Sequence, residues 1–282
     1  MNKKSILIIS MIKVFFRILG KSLAKLSNFF PFNLISDTFL IYKLDERKQI
    51  RIDNDTVYLT TPNFLTRYRH KTFFTKEPET LAWIDSFERG SVFYDVGANI
   101  GLYSIYAVKK RQNKVFCFEP SFFNLEFLAR NVNYNGLEGD IVIFPIPLND
   151  KISVSKFHLN STEWGGALSN FDKEFDVYGE VSQSKFSYNT IGFDLDTLVS
   201  VYKIPLPDYI KIDVDGIEHY ILKGSEKVIN NAKSVLIEIN DDFKEQKIES
   251  EKYLKNAGFK CFKKILSESS KHKIFNQIWI KT

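Results

Sequence analysis

From residue 92 onward, short apolar runs alternate with longer stretches of helical spacing, which predicts a strand–helix repeat. Val92–Val96, Lys114–Phe118, Ile141–Ile146, Tyr209–Val214 and Ser234–Ile239 read as strands. Between and after them, Tyr103–Lys110, a segment from Ser121 to about Asn135, Asp194–Val201, Ile217–Asn230 and Glu245–Ala257 read as helices, with stops at Gly136 and Gly258. Phe259–Ile265 and Phe275–Lys281 close the chain as two strands with no helix between them. The predicted fold class is α/β: a doubly wound, mainly parallel, seven-stranded Rossmann-like sheet ending in an antiparallel hairpin. A polar insertion over residues 151–190, containing glycine and serine, interrupts the alternation after the third strand.

Upstream the pattern differs. Phe39–Leu44 and Gln49–Leu59 flank polar Asp45-Glu46 and surround Asp53-Asn54-Asp55, and read as hairpin strands. Glu77-Pro78-Glu79-Thr80 opens a helix running through Phe87, because proline fits a first turn and acids suit its positive end. Three regions follow: a basic amphipathic helix over 1–30, a hairpin-and-helix extension over 31–89, and an α/β domain over 90–282.

Length and composition add mainly exclusions. The chain of 282 residues, 44% hydrophobic and 26% charged, can bury the core of one large α/β domain. Cys117 and Cys261 sit in apolar strand-like runs and read as buried thiols in a reducing, cytoplasmic compartment. The absence of a C-x-x-C pair and the scatter of His70, His158, His219 and His272 argue against a zinc site, and no metal is predicted.

The net charge of +5 is informative once located. Lys3, Lys4, Lys13, Arg17, Lys21 and Lys25 all precede the first acid, Asp37, and the remainder is within one charge of neutrality. The folded body therefore has no electrostatic footprint for nucleic acid. The leading segment starts like a signal peptide, but Lys13 and Arg17 break its apolar run, and it is too interrupted to span a bilayer. Lys13, Arg17, Lys21 and Lys25 recur every fourth residue and stack on one helical face beside Ile12, Phe15, Phe16, Leu19, Leu23 and Leu26. This pattern suits peripheral contact with an anionic membrane, or equally a helix packed on the domain.

The candidate cofactor loop is Asp95-Val96-Gly97-Ala98-Asn99-Ile100-Gly101, at the end of the first strand of the alternating region. A dinucleotide fingerprint reads G-x-G-x-x-G, its middle glycine making room for a pyrophosphate. Here Asn99 follows Gly97 at that middle position, which disfavours a phosphate-rich ligand and fits S-adenosylmethionine, which has no phosphate. Glu119, ending the second strand of that region, is placed to accept hydrogen bonds from ribose hydroxyls. Asn149 and Asp150 follow the third, where adenine would lie, or form a plain turn.

These residues resemble the FkbM-type methyltransferases. The likeness rests on Tyr94–Gly101, on Phe118-Glu119-Pro120 with Leu128 and Asn131, and on Lys211-Ile212-Asp213-Val214-Asp215-Gly216-Ile217-Glu218 followed by Leu222-Lys223-Gly224 and Glu238. It covers roughly residues 77–240. One departure is Asp215, where the family usually has glutamate. The resemblance implies an S-adenosylmethionine-dependent O-methyltransferase.

A hydroxyl is a poor nucleophile until its proton is leaving, so a positioned base is needed. Asp213, Asp215 and Glu218 crowd one strand end, where neighbouring carboxylates are expected to raise one another's pKa. Asp213 is the first choice of base, with Asp215 and Glu218 orienting substrate or supplying charge. Glu238 faces the same crevice or is an edge charge, and three carboxylates including it could hold magnesium, although nothing demands it. Trp164-Gly165-Gly166, flanked by Asn160, Ser161 and Thr162, reads as a lid over a polar acceptor or as an inert hairpin. The acceptor predicted is a hydroxyl of a glycan or lipid-linked sugar. The alternatives are a small secondary metabolite, a nicotinamide-dependent sugar oxidoreductase and a silent binding module.

Overall fold

In a parallel sheet covered on both faces, successive residues of each strand point into opposite cores. That rule orders this protein. Phe93, Val115, Cys117, Tyr209 and Leu236 enter one core, while Tyr94, Val96, Phe116, Phe118, Ile210, Ile212, Val235 and Ile237 enter the other. The computed structural model describes residues 14–15, 18–22, 25, 32–181, 184–266 and 273–282. It divides into two compact units, Met1–Arg47 and Lys48–Thr282.

The first unit carries helix α1 (Phe32–Leu44). Phe39–Leu44, expected as a strand, is helical instead: no glycine or proline interrupts the run from Phe32, and Phe39-Leu40-Ile41 does not alternate. Of the predicted basic stripe, Lys13 and Arg17 lie outside the described residues, and Lys21 and Lys25 are helical.

The hairpin of β1 (Arg47–Ile52) and β2 (Asp55–Thr60) turns on Asp53, at a left-handed φ of 53°. Helix α2 (Phe64–Lys71) was not anticipated, although Asn63 and Thr66 form a capping box, with Thr66 N–H donating to Asn63 Oδ1 at 2.9 Å. Helix α3 (Pro78–Asp85) follows, shorter than expected.

The alternating region then runs β3 (Val92–Val96), α4 (Leu102–Arg111), β4 (Lys114–Phe118), α5 (Phe122–Tyr134) and β5 (Ile141–Phe144). The insertion forms its own antiparallel sheet of β6 (Ser153–Leu159), β7 (Ser169–Phe171) and β8 (Phe186–Gly192), with β6 central. The chain returns as α6 (Leu195–Tyr202), β9 (Tyr209–Ile212), α7 (Glu218–Lys223), α8 (Glu226–Ile229), β10 (Ser234–Asn240), α9 (Lys244–Asn256), β11 (Phe259–Leu266) and β12 (Ile274–Lys281).

The large sheet has the order β11-β12-β10-β9-β3-β4-β5, with β12 antiparallel to both neighbours. The predicted architecture holds. The single helix expected over Ile217–Asn230 is two short ones, interrupted at Gly224, where a Cβ would fall 2.2 Å from the Asn149 carbonyl oxygen. Cys117 is buried as expected, but Cys261 is exposed, because β11 is an edge strand showing most of its side chains to solvent.

Strand order reverses between β3, with β4 on one side, and β9 on the other. The crevice beyond their carboxyl ends is where a ligand binds in such sheets.

Candidate functional site

A cavity of about 400 Å³ opens at this switch point. Gly97 and Asn99 line it from the loop after β3, Glu119 from the end of β4, Asp213 and Asp215 from the end of β9, and Glu238 from β10. The loop folds as it does because three of its residues accept left-handed backbone, Gly97 and Gly101 at φ 84° and Asn99 at φ 53°. Gly97 packs on the facing loop so closely that a Cβ would lie 1.9 Å from the Asp213 carbonyl oxygen.

Glu119 is buried, yet both its oxygens are engaged. Oε2 accepts from Asn99 N–H at 2.8 Å, and Oε1 from Ser121 N–H at 2.8 Å and Asn124 Nδ2 at 3.4 Å. Burial pushes its pKa up to about 7 against the opposing pull of those donors.

The period-two rule explains the other end of the cavity. Lys211 and Asp213 lie two residues apart and share one sheet face, while Asp95 pairs with Lys211 in register. The Lys211 ammonium is buried and donates to Asp213 Oδ2 at 2.6 Å. Burial works against its charge, but Asp213, Asp95 and Glu77 outweigh it and hold its pKa above the ordinary value. Conversely, burial would raise Asp213, but Lys211, with Lys76 and Arg69, holds it below the usual carboxylate range. Crowding was expected to raise Asp213. It does the opposite, because a lysine hidden in the apolar run Tyr209-Ile210-Lys211-Ile212 faces it.

Crowding does raise Asp215, to about 6, through burial first and then the charge of Asp213. Its carboxylate accepts from the backbone N–H groups of Leu168 (2.7 Å) and Ser169 (3.2 Å) in the insertion. Glu218 stands behind the loop, outside the cavity lining. It accepts from Val214 and Gly216 N–H at 3.1–3.2 Å and from Gln246, and burial raises it to about 7.

Four predicted cofactor residues lie behind the cavity rather than in its lining. Asp95 is buried and accepts from Ser104 Oγ at 2.5 Å. Gly101 opens α4 against Leu128. Asp150 pairs with Lys223 at 2.8 Å, and Asn149 is buried nearby; neither lines the cavity, which is walled there by Ile146, Pro147 and Leu148. His219 lies outside the cavity lining, packed between Tyr220 and Phe243, and burial lowers it to about 4. Among the described residues no cluster of three or more ligating side chains could hold a metal ion.

Sequence reasoning missed Arg69, Lys76, Glu77 and Tyr103, which line the cavity from the α2–α3 region and α4. Only the Asn63–Thr66 capping pattern hinted at α2. The insertion also reaches the cavity: Gly166 O accepts from Asn99 Nδ2 (2.6 Å) and Asn124 Nδ2 (3.2 Å), and Gly165 O from Arg69 Nε (2.8 Å). Trp164 packs on Phe127, their ring centroids 5.1 Å apart.

The model of the FkbM methyltransferase domain matches residues 95–261, more than half of the chain, from the end of β3 through β10 and α9 into β11. This chain belongs to the FkbM methyltransferase family. It is 27% identical over 157 residues to the hexuronic acid methyltransferase AglP of Haloferax volcanii, covering 56% of this chain and 59% of that relative. Among solved structures it is similar to methyltransferase FkbM from Methylobacillus flagellatus KT, at 15% identity and TM-score 0.47, covering 69% of this chain and 44% of that one. Magnesium protoporphyrin IX methyltransferase from Synechocystis PCC 6803 is similar at 10% identity and TM-score 0.47, covering 78% and 85%.

The FkbM-family donor is S-adenosylmethionine, and the cavity of this methyltransferase fits it. Its volume lies in the range of small-molecule sites, roughly 300–1,000 Å³. Five carboxylates (Glu77, Glu119, Asp213, Asp215 and Glu238) line it against three cations (Arg69, Lys76 and Lys211). With Glu119, Asp215 and Glu238 raised by burial, the lining carries no net positive charge, which suits a cationic sulfonium better than a pyrophosphate.

Proposed function

We propose that this methyltransferase is an O-methyltransferase acting on a hydroxyl of a glycan or lipid-linked sugar. The observation that carries the reading is the cavity itself: a ribose-accepting acid at one end, Glu119, and an acidic cluster around Asp213 at the other. The sulfonium methyl is already electrophilic, so the protein's task is to align an acceptor oxygen with it and exclude water. Gly97 and Asn99 give the donor backbone access, Glu119 holds the ribose, and Ile146, Pro147 and Leu148 provide an apolar wall for adenine. Similarity to a hexuronic acid methyltransferase supports a sugar acceptor.

The insertion acts as the lid. Gly165, Gly166, Leu168 and Ser169 are tied by hydrogen bonds to Arg69, Asn124, Asn99 and Asp215, so the segment keeps water from the donor end of the cavity. Asp215, the departure from the family's glutamate, latches this lid.

Glu119→Gln keeps the shape of the side chain but weakens its hydrogen bonds to ribose hydroxyls, because a charged acceptor binds about twice as strongly as a neutral one. Calorimetry is expected to show S-adenosylmethionine affinity reduced about 10-fold or more, the loss of one charge-assisted bond of roughly 1.5–3 kcal/mol. Unchanged affinity would remove Glu119 from the cofactor site. Tight binding of NAD with no binding of S-adenosylmethionine would end the methyltransferase reading of this cavity.

The N-terminal unit is proposed as a peripheral contact with the cytoplasmic face of a membrane. Leu34, Ile35, Phe39, Leu40, Ile41 and Tyr42 of α1 are exposed, and the basic stripe precedes them in sequence. Among the described residues no helix is long and apolar enough to cross a membrane. Deletion of residues 2–27 is expected to lower sedimentation with anionic phosphatidylserine vesicles, by about 1 kcal/mol of binding per basic residue lost. Equal sedimentation of the deleted and full chains would sink this proposal.

A further inference from the structure

Each carboxylate lining the cavity has hydrogen-bond partners except one. Glu119 accepts from Asn99 and Ser121, Asp213 from Lys211, Asp215 from Leu168 and Ser169, and Glu77 from Lys76 and Tyr103. Among the described residues none donates to the carboxylate of Glu238. Its position is set by the sheet: Ile237 pairs with Ile212, so the next residues of these parallel strands, Glu238 and Asp213, stand side by side at the carboxyl edge. On its other side Glu238 pairs with neutral Asn276 of β12, whose amide is taken by Glu79.

We infer that Glu238 is the general base of this methyltransferase, taking the proton of an acceptor hydroxyl in the cavity. This rests on the O-methyltransferase reading above and adds the acceptor's chemistry: a hydroxyl needs a base, whereas a carboxylate acceptor would not. The step balances. As the acceptor oxygen forms its bond to the methyl carbon, the sulfur–carbon bond breaks and its electron pair stays on sulfur. The hydroxyl proton passes to Glu238, leaving S-adenosylhomocysteine and a neutral methyl ether.

The surroundings suit the role. Asp213 is unsuited, because Lys211 holds its proton affinity down. Glu238 is raised well above the ordinary carboxylate range, by burial first and then by the charges of Asp213, Glu218, Asp215 and Glu77. The cations lining the same cavity, Lys211, Lys76 and Arg69, are bound to Asp213, Glu77 and the Gly165 carbonyl. Once ionised, a carboxylate of raised pKa is a stronger base than its neighbours, so the rate is expected to rise with pH as Glu238 loses its proton.

The test is mass spectrometry of glycans from a deletion strain carrying the wild-type gene, Glu238→Gln, Glu238→Asp or Glu119→Gln, with calorimetry of each protein on S-adenosylmethionine. The wild type is expected to restore an alkali-stable methyl increment, and Glu238→Gln to lose it while binding the donor within twofold of the wild type. Glu238→Asp is expected to restore part of it. On the glycan so identified, Glu238→Gln should turn over about 100-fold more slowly or worse, and should lack the rise of rate with pH expected of the wild type. Full restoration by Glu238→Gln overturns the inference, and so does an alkali-labile increment, which would mean a methyl ester. No increment from the wild type instead overturns the glycan reading, and the acceptor assignment falls with it.

Discussion

Lys211→Met is expected to destabilise the protein by about 3–5 kcal/mol, the usual cost of removing one partner from a buried ion pair. Lys211 is 1% exposed and sits in register with Asp95, while its ammonium binds Asp213. Methionine fills the same volume and keeps the apolar contacts of the stem, so the loss isolates the charge. Two carboxylates then face each other across β3 and β9 with no cation between them. Asp95 also loses the lysine charge that opposes its desolvation. Urea denaturation at neutral pH should show a lower midpoint with an unchanged slope. A change below about 1 kcal/mol would show that the pair contributes no more than an exposed one. Because Asp213 lines the cavity, the variant should also bind S-adenosylmethionine more weakly.

The second large effect is expected from Gly97→Ala. Two costs add at this position. The backbone is at φ 84°, which a Cβ makes unfavourable by roughly 1–2 kcal/mol. The added carbon would also lie 1.9 Å from the Asp213 carbonyl oxygen and 3.0 Å from its carbon. Those atoms are backbone at the end of β9 and cannot rotate aside, so β3 and β9 must separate. Overpacking of this kind typically costs a further 1–3 kcal/mol or so.

Gly101→Ala is the matched control. Its φ is also 84°, but the Cβ would meet the Leu128 Cδ1 methyl at 2.5 Å, which a rotamer change relieves. Thermal unfolding should place Gly97→Ala well below Gly101→Ala, and only Gly97→Ala should lose cofactor binding outright. Equal midpoints would mean that strain at φ, rather than the contact with Asp213, is what matters at both glycines.

Both predictions concern the contact of β3 and its following loop with β9 and its carboxyl end, and that contact is the centre of the site. Residues more than a hundred positions apart are brought within a few ångströms by strand order alone. The same order puts Glu238 beside Asp213. It leaves Glu218, Asn149 and Asp150 outside the cavity, although in sequence they stand next to strand ends.

The sequence by itself determined the seven-strand alternation, the antiparallel close, the glycine-containing loop after β3 and the position of the acid after β4. Those features are local: apolar period, glycine spacing and helix stops depend only on near neighbours in the chain. It misread Phe39–Leu44, because a short apolar run has no decisive period. Tertiary structure alone decided which carboxylates are free. Lys211 looks like an ordinary strand residue until register sets it opposite Asp95 and folds its ammonium onto Asp213. Glu238 looks like an edge charge until β12 covers one side and β9 brings acids to the other. Proton affinity is set by charges within a few ångströms in space, and the chain order does not record those distances.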